Sequence, residues 1–469
     1  MSPETPATPD PRRWRILYVT LAVGFMTLLD VTIVNVALPS IQQGLDASDS
    51  TIQWVVSGYA LTFGLTLVTG GRLGDALGRR RMMLIGLSGF IVASLAVGMA
   101  PTAGVAVVAR LVQGAAAGLL TPQNSGLIQE LFQGPERGRA FGAFGFTVGV
   151  SSAIGPILGG VIIALFGVDQ GWRYIFLVNV PIGVVALFFI ARMVPGQRKE
   201  LQGKRLDLDT GGAALLGLTV MAILYPLVAA VDGSDWWFAL FLLVPVLAWA
   251  FIRHEHRVVE SGGAPLLDVA LLRGTRGYAS GLAIGTIYFL GFTGIFLIIS
   301  VALQEQFGLT ALHAGLLVTP FAAGSAIAAP IAGRLVARIG RRVTVIALCT
   351  MITGTALLIV MIPDGSSGKW ILFSAALLVA GLGGGAVISP NFTLTLENVP
   401  TRMAGAAGGA LQTGQRIGTA IGTALLMSAY QNALERGASP QSSMRIALGL
   451  AIALLIVALI LAVRDLRER

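Results

Sequence analysis

Apolar residues in this chain come in long runs. Fourteen runs of roughly 20 residues, the length a helix needs to cross a ~30 Å hydrocarbon layer, are bounded by charges, proline or glycine clusters. Their centres fall near residues 27, 60, 90, 113, 153, 185, 220, 245, 289, 323, 352, 381, 415 and 453. The pattern predicts an all-α polytopic membrane protein with fourteen transmembrane helices, because only a helix satisfies its own backbone in lipid. Composition agrees: 55% of the 469 residues are hydrophobic and 12% charged, so a soluble surface around most of the chain is excluded. The first run follows Arg12, Arg13 and Arg15 as in a signal peptide, but it is too long, contains Asp30, and is followed by many similar runs.

The net charge of +9 raises two possibilities, nucleic acid and orientation in a bilayer. The positions of the basic residues decide between them. With the N-terminus in the cytoplasm, 26 of the 32 lysines and arginines fall on the inner side and four on the outer side. The remaining two, Arg110 and Arg416, lie inside spans. This asymmetry predicts a multi-pass protein of the inner (plasma) membrane with both termini cytoplasmic, and no nucleic-acid partner. The single cysteine, Cys349, permits neither an internal disulfide nor a cysteine metal site, and His254, His256 and His313 are too scattered to form a cluster. No metal or cofactor is expected. The three lysines, Lys199, Lys204 and Lys369, lie in no phosphate-binding loop, so an ATP-driven pump is excluded and an ion gradient or a partner must supply the energy. Nor is there a histidine pair or a nucleophile elbow to suggest an intramembrane enzyme.

The segment Gly71-Arg72-Leu73-Gly74-Asp75-Ala76-Leu77-Gly78-Arg79-Arg80 after span 2 has a counterpart, Gly333-Arg334-Leu335-Val336-Ala337-Arg338-Ile339-Gly340-Arg341-Arg342, after span 10. Gly155 and Gly159 in span 5 are echoed at nearly the same offset by Gly418 and Gly422 in span 13. The two echoes argue for a duplicated six-helix unit. Spans 7 and 8 have no counterpart and read as an inserted hairpin. The expected organisation is an N-terminal six-helix bundle (1–195), a linker with the hairpin (196–276) and a C-terminal six-helix bundle (277–469).

Three charges lie deep in spans. Asp30 is nine residues below Pro39, roughly 13 Å, and Arg110 roughly 10 Å below Thr102. A carboxylate at that depth is costly unless paired, hydrated or periodically protonated, which makes it a candidate for an ion or substrate path. A structural acid satisfied by Thr27 or Thr32 is the alternative. Arg416 lies in span 13 beside Gln412, Gly414, Gln415 and Gly418, and reads either as the anchor for an acidic substrate group or as the counter-charge of Glu305 or Glu397.

These features, with Leu29-Asp30-Val31-Thr32-Ile33-Val34-Asn35-Val36-Ala37-Leu38-Pro39 in span 1, Arg110-Leu111-Val112-Gln113-Gly114 in span 4, Gly155-Pro156-Ile157-Leu158-Gly159-Gly160 in span 5 and Trp172-Arg173-Tyr174-Ile175-Phe176-Leu177-Val178-Asn179-Val180-Pro181 entering span 6, resemble the major facilitator superfamily. The resemblance is to its fourteen-span drug:proton antiporter branch. It implies the major facilitator fold, with spans 1 and 4 lining a central cavity where Asp30 and Arg110 would couple proton and substrate; a permanent ion pair is the alternative. It implies a gating latch built from Gly71, Asp75, Gly78, Arg79 and Arg80, which could equally be a plain positive-inside turn. With Ala337 in place of the aspartate, the second copy would lack the latch. It also implies a hinge at Gly155, Pro156, Gly159 and Gly160, where a packing groove is as economical, and Ser151 stands where a further glycine is expected. Gln53, Trp54, Tyr59, Gln113, Asn391 and Arg416 are candidate cavity residues, although a tryptophan near an interface more often anchors. The expected function is proton-coupled export of drugs by alternating access. The partners are an amphiphilic or cationic small molecule and the lipid bilayer, with the chain acting as a monomer. Export of a self-made antibiotic, siderophore or amino acid, or a non-transporting membrane sensor, are the alternatives.

Overall fold

The computed structural model describes residues 10–196, 209–229, 235–263, 265–268, 270–306, 308–309, 311–362 and 367–468. Every regular element among them is helical. The first half comprises α1 (Arg13–Leu45), α2 (Asp49–Leu77), α3 (Arg79–Gly98), α4 (Ala103–Leu131), α5 (Gly134–Phe166), α6 (Val168–Leu177) and α7 (Asn179–Met193). Next come α8 (Thr210–Ala229), a tight helical stretch Asp235–Leu243, α9 (Val244–Glu260) and the short α10 (Ala270–Gly274). The second half comprises α11 (Tyr278–Val301), α12 (Ala311–Ile339), α13 (Arg342–Val360), α14 (Ser367–Thr395), α15 (Ala404–Glu435) and α16 (Pro440–Glu468). Twelve helical segments among the described residues are long and apolar enough to cross a bilayer. The apolar stretch of α8, Thr210–Pro226, is shorter, and α15 is not one of the twelve.

Local chemistry places the ends. Ser48 and Thr102 cap α2 and α4 by accepting from Thr51 N–H and Val105 N–H. Gly78, at φ 96°, turns the chain from α2 into α3, a backbone conformation that residues with a side chain rarely adopt. Prolines stand inside α1, α4, α8, α12 and α14. Neighbouring helices and hydroxyls make such breaks tolerable in a bundle.

The two halves pack alike. In the first, α1 lies on α5, α2 and α3 on α4, and α3 on α7; in the second, α11 lies on α15, α12 and α13 on α14, and α13 on α16. Between the halves run two seams, α2 against α15 and α5 against α12. Small residues allow the approach: Gly71 meets Gly405 across the first seam, and Gly138 meets Gly333 across the second. Both contacts lie toward the end of the molecule that carries the α2–α3 and α12–α13 turns. That end also holds the beginning and end of the described chain, where Arg13 pairs with Glu136 and Arg276 donates to the Glu468 carbonyl. Helix α8 covers the α2–α15 seam, burying Leu61, Val220 and Leu224 beside Trp54, Ile417 and Ala420.

Candidate functional site

Asp30 lies mid-way along α1 and is 1% exposed. Its Oδ2 accepts from Arg110 Nη1 at 2.5 Å, and its Oδ1 accepts from Gln113 Nε2 at 3.0 Å and Asn179 Nδ2 at 2.9 Å. Arg110 also donates to Gln113 Oε1 and to the Val55 carbonyl, and Gln113 donates to Ser94 Oγ. The guanidinium carbon of Arg110 lies 4.1 Å over the ring of Tyr59. Helices α1, α2, α3, α4 and α7 thus converge on one carboxylate, which is paired and hydrogen-bonded on both oxygens. Neither Thr27 nor Thr32 serves it: Thr27 donates to the Gly24 carbonyl, and Thr32 to the Leu29 and Ser151 carbonyls.

The second constellation joins the halves. Asp75, at the end of α2, accepts from the backbone N–H groups of Gly405 (3.0 Å) and Ala406 (2.9 Å), the first residues of α15. These are unpaired donors at the positive end of a helix dipole, so a carboxylate is well matched to them. Arg79 holds the same carboxylate at 2.8 Å, reaches Glu130 at 3.2 Å and donates to the Thr401 carbonyl. Gly71 lies directly against Gly405, where an added methyl carbon would come within 2.1 Å of its carbonyl oxygen. Arg80 donates to the Ala191 carbonyl of α7. At the corresponding place in the second half there is no carboxylate, and Arg341 instead pairs within its own half with Asp465 at 2.6 Å.

Other candidates fall elsewhere. Gly155 and Gly159 are buried, and Gly155 packs on Thr32 and Ile33 of α1, within the first half. Gly160 faces open space. The side chains of Pro156 and Gln53 lie outside the described residues. Trp54 was expected in the cavity but its ring sits 5.9 Å from that of Tyr225 in α8, because it occupies the flank of α2 that α8 covers. Asn391 was likewise expected there; it accepts from Arg341 and donates to the Gly281 carbonyl, far down the second half beside Asp465. Tyr59 is buried, its ring beneath Arg110. Gln113 is spent on Asp30. Arg416 stacks on Phe63 of α2, 4.5 Å from the ring, with no carboxylate partner among the described residues. Its two suggested counter-charges are remote along the chain direction. Gly418 packs on Thr286 and Leu290, which puts Arg416 about 25 Å along the helix axis from position 305 of the same half. Glu397 precedes α15 altogether.

A family model described as Major Facilitator Superfamily matches residues 20–423 and, in a second match, 281–468. The chain belongs to the major facilitator superfamily. Among its relatives, the probable actinorhodin transporter of Streptomyces coelicolor is 36% identical over 88% of this chain and 72% of that protein. The tetracenomycin C resistance and export protein of Streptomyces glaucescens is 32% identical over 87% of this chain and 74% of that protein. The multidrug resistance protein Stp of Mycobacterium tuberculosis is 34% identical, covering 86% and 73%. Among solved structures, the human organic anion transporter MFSD10 superposes with a TM-score of 0.70 over 97% of this chain and 100% of that one. At 16% identity this likeness concerns the fold alone. As a superfamily member the chain is a multi-pass membrane transporter and not an enzyme.

Sequence reasoning missed Asn179 and Ser94 as partners of the Asp30 network. Asn179 was quotable as part of a motif, but an uncharged polar residue in an apolar run gives no sign of which neighbour it serves.

Proposed function

We propose that the chain is a proton-coupled secondary transporter that exports amphiphilic antibiotics or drugs from the cytoplasm by alternating access. The names of its relatives support export of antibiotic-like compounds. The observation that carries proton coupling is Asp30, a buried carboxylate held by Arg110, Gln113 and Asn179. Protonation would remove the attraction for Arg110 and loosen its bond to the Val55 carbonyl, shifting α4 against α1 and α2. A proton gradient is the driving force, and no cofactor takes part.

The positive-inside asymmetry supports placing both termini in the cytoplasm and the protein in the inner membrane. On that orientation the contacts of Asp75, Gly71 and Gly138 close the cytoplasmic end, so this conformation faces outward. Substrate loading from the cytoplasm requires Asp75 to release the start of α15. The flank of α5 around Gly155 to Gly160 acts as the hinge against α1. We further read α8 and α15 as spans alongside the twelve apolar helices, giving six spans in 1–195, the hairpin in 196–276 and six spans in 277–469. The hairpin reading draws support from the position of α8 over the α2–α15 seam. A second reading, export of a compound the cell itself makes, is favoured by relatives named for single antibiotics such as actinorhodin and tetracenomycin C.

The test is a proton-flux assay in everted membrane vesicles across a panel of antibiotics. Substrate addition should release protons from vesicles holding the wild-type chain and not from those holding Asp30→Asn. Undiminished release with Asp30→Asn would refute the coupling role.

A further inference from the structure

Three hydrogen-bond donors share one stripe of α15. Gln412, Thr413 and Arg416 are spaced four and three residues apart, so their side chains emerge on one face. Gln412 and Thr413 are 6% and 5% exposed, yet Gln412 Nε2 and Thr413 Oγ1 have no hydrogen-bond partner among the described residues. Beside them the Arg416 guanidinium stacks on Phe63, whose ring centre lies 5.8 Å from that of Tyr59. No carboxylate pairs with Arg416 among the described residues, and Asp30, the deep acid of the first half, is committed to Arg110. Two buried donors left without an acceptor among the described residues are costly unless a ligand completes them, and the half-buried cation beside them favours a negative one.

We propose that Gln412, Thr413 and Arg416, with Phe63 backing the guanidinium, form a recognition subsite for the anionic oxygen of an amphiphilic acid. This rests on reading the chain as an exporter of amphiphilic molecules, and it names the charge of what is exported. An arginine fork suits the paired oxygens of a carboxylate, and the amide and hydroxyl supply further donors. Phe63 and Tyr59 are each 2% exposed, so they back the guanidinium and leave the ligand to meet its donors. A cation would meet the opposite of what it needs: Arg416 has no carboxylate partner among the described residues, whereas the carboxylate of Asp30 is paired with Arg110. On this proposal the amphiphilic substrate carries an acid group.

The experiment measures equilibrium binding of naphthoate, its methyl ester and naphthylmethylamine to the purified full-length protein in lipid nanodiscs. Naphthoate should bind tightest. Arg416→Gln should raise its Kd by about tenfold or more, Arg416→Lys by less, and neither should change binding of the ester. Unchanged ester binding also reports that the variant is folded. Thr413→Val should weaken naphthoate binding several-fold while leaving the ester alone. No preference for naphthoate over the ester, or equal weakening of both by Arg416→Gln, overturns the subsite. Flux of naphthoate in vesicles separates the two readings. Selective binding without flux leaves the subsite standing and removes the exporter. Flux of other compounds with no naphthoate preference does the reverse.

Discussion

At the scale of single residues, Asp30 and Arg110 depend on one another. Each is about 1% exposed, and removing either leaves an uncompensated charge in a low-dielectric interior. Arg110→Ala should therefore destabilise the protein by roughly 3–5 kcal/mol, read as a fall in the thermal midpoint of the detergent-solubilised chain. The double variant Asp30→Asn with Arg110→Gln should recover much of that loss, since two neutral amides can still bond to each other, and should remain inactive in proton-driven transport. A double variant as unstable as the single one would mean that shape, not charge, holds this site. The pair was legible from sequence because two lone charges stand at similar depths in spans that a known fold brings together. The partners that complete it were less so. Gln113 was assigned to the cavity but serves the carboxylate, and Ser94 had no distinguishing mark in an apolar run.

At the scale of elements, Asp75 joins the end of α2 to the start of α15. An aspartate before a glycine turn and three arginines was visible as an acid suited to a helix N-terminus or to an arginine, and it meets both. Which helix it would cap depended on tertiary contact across 330 residues. Asp75→Asn removes the negative charge from the dipole of α15 and leaves one acceptor oxygen where two are used. Spin labels at the ends of α2 and α15 should then report a second, longer distance population, together with slowed transport. A distance distribution identical to wild type would dismiss the latch. Helix rotation and height set two other positions: Trp54, near the start of α2, lies on the face that α8 covers, and Asn391, near the end of α14, faces Arg341.

At the scale of the whole molecule, the proposed transport cycle requires the two seams to open in turn. Both hold close glycine contacts, Gly71 with Gly405 and Gly138 with Gly333, and α5 continues along α12 through Gly142, Gly145 and Gly149 while Phe141 and Phe144 pack on Phe392 of α14. Cysteines replacing Gly145 and Ala329, whose Cβ positions face each other across the α5–α12 seam at 3.0 Å, should form a disulfide on oxidation in a background with Cys349→Ser. Transport should then stop, and resume on reduction. Full activity of the verified cross-linked protein would show that these helices need not part. Helix α8 lies over the α2–α15 seam, and among the described residues it has no counterpart over the α5–α12 seam, so the molecule is less symmetric than its two halves.

The sequence by itself determined the membrane solvent, the run of helices, the duplication and the few charges worth attention. These follow from composition, length and repetition, and each is a property of the chain before it folds. Only the tertiary structure decided which charges are neutralised and which are left free. Asp30 finds Arg110 and two polar neighbours, Gln113 and Asn179, whereas Arg416 finds an aromatic ring beside two donors that have no partner among the described residues. The physical reason is that pairing depends on helix rotation and on contacts between remote segments, and neither is written in the spacing along one helix.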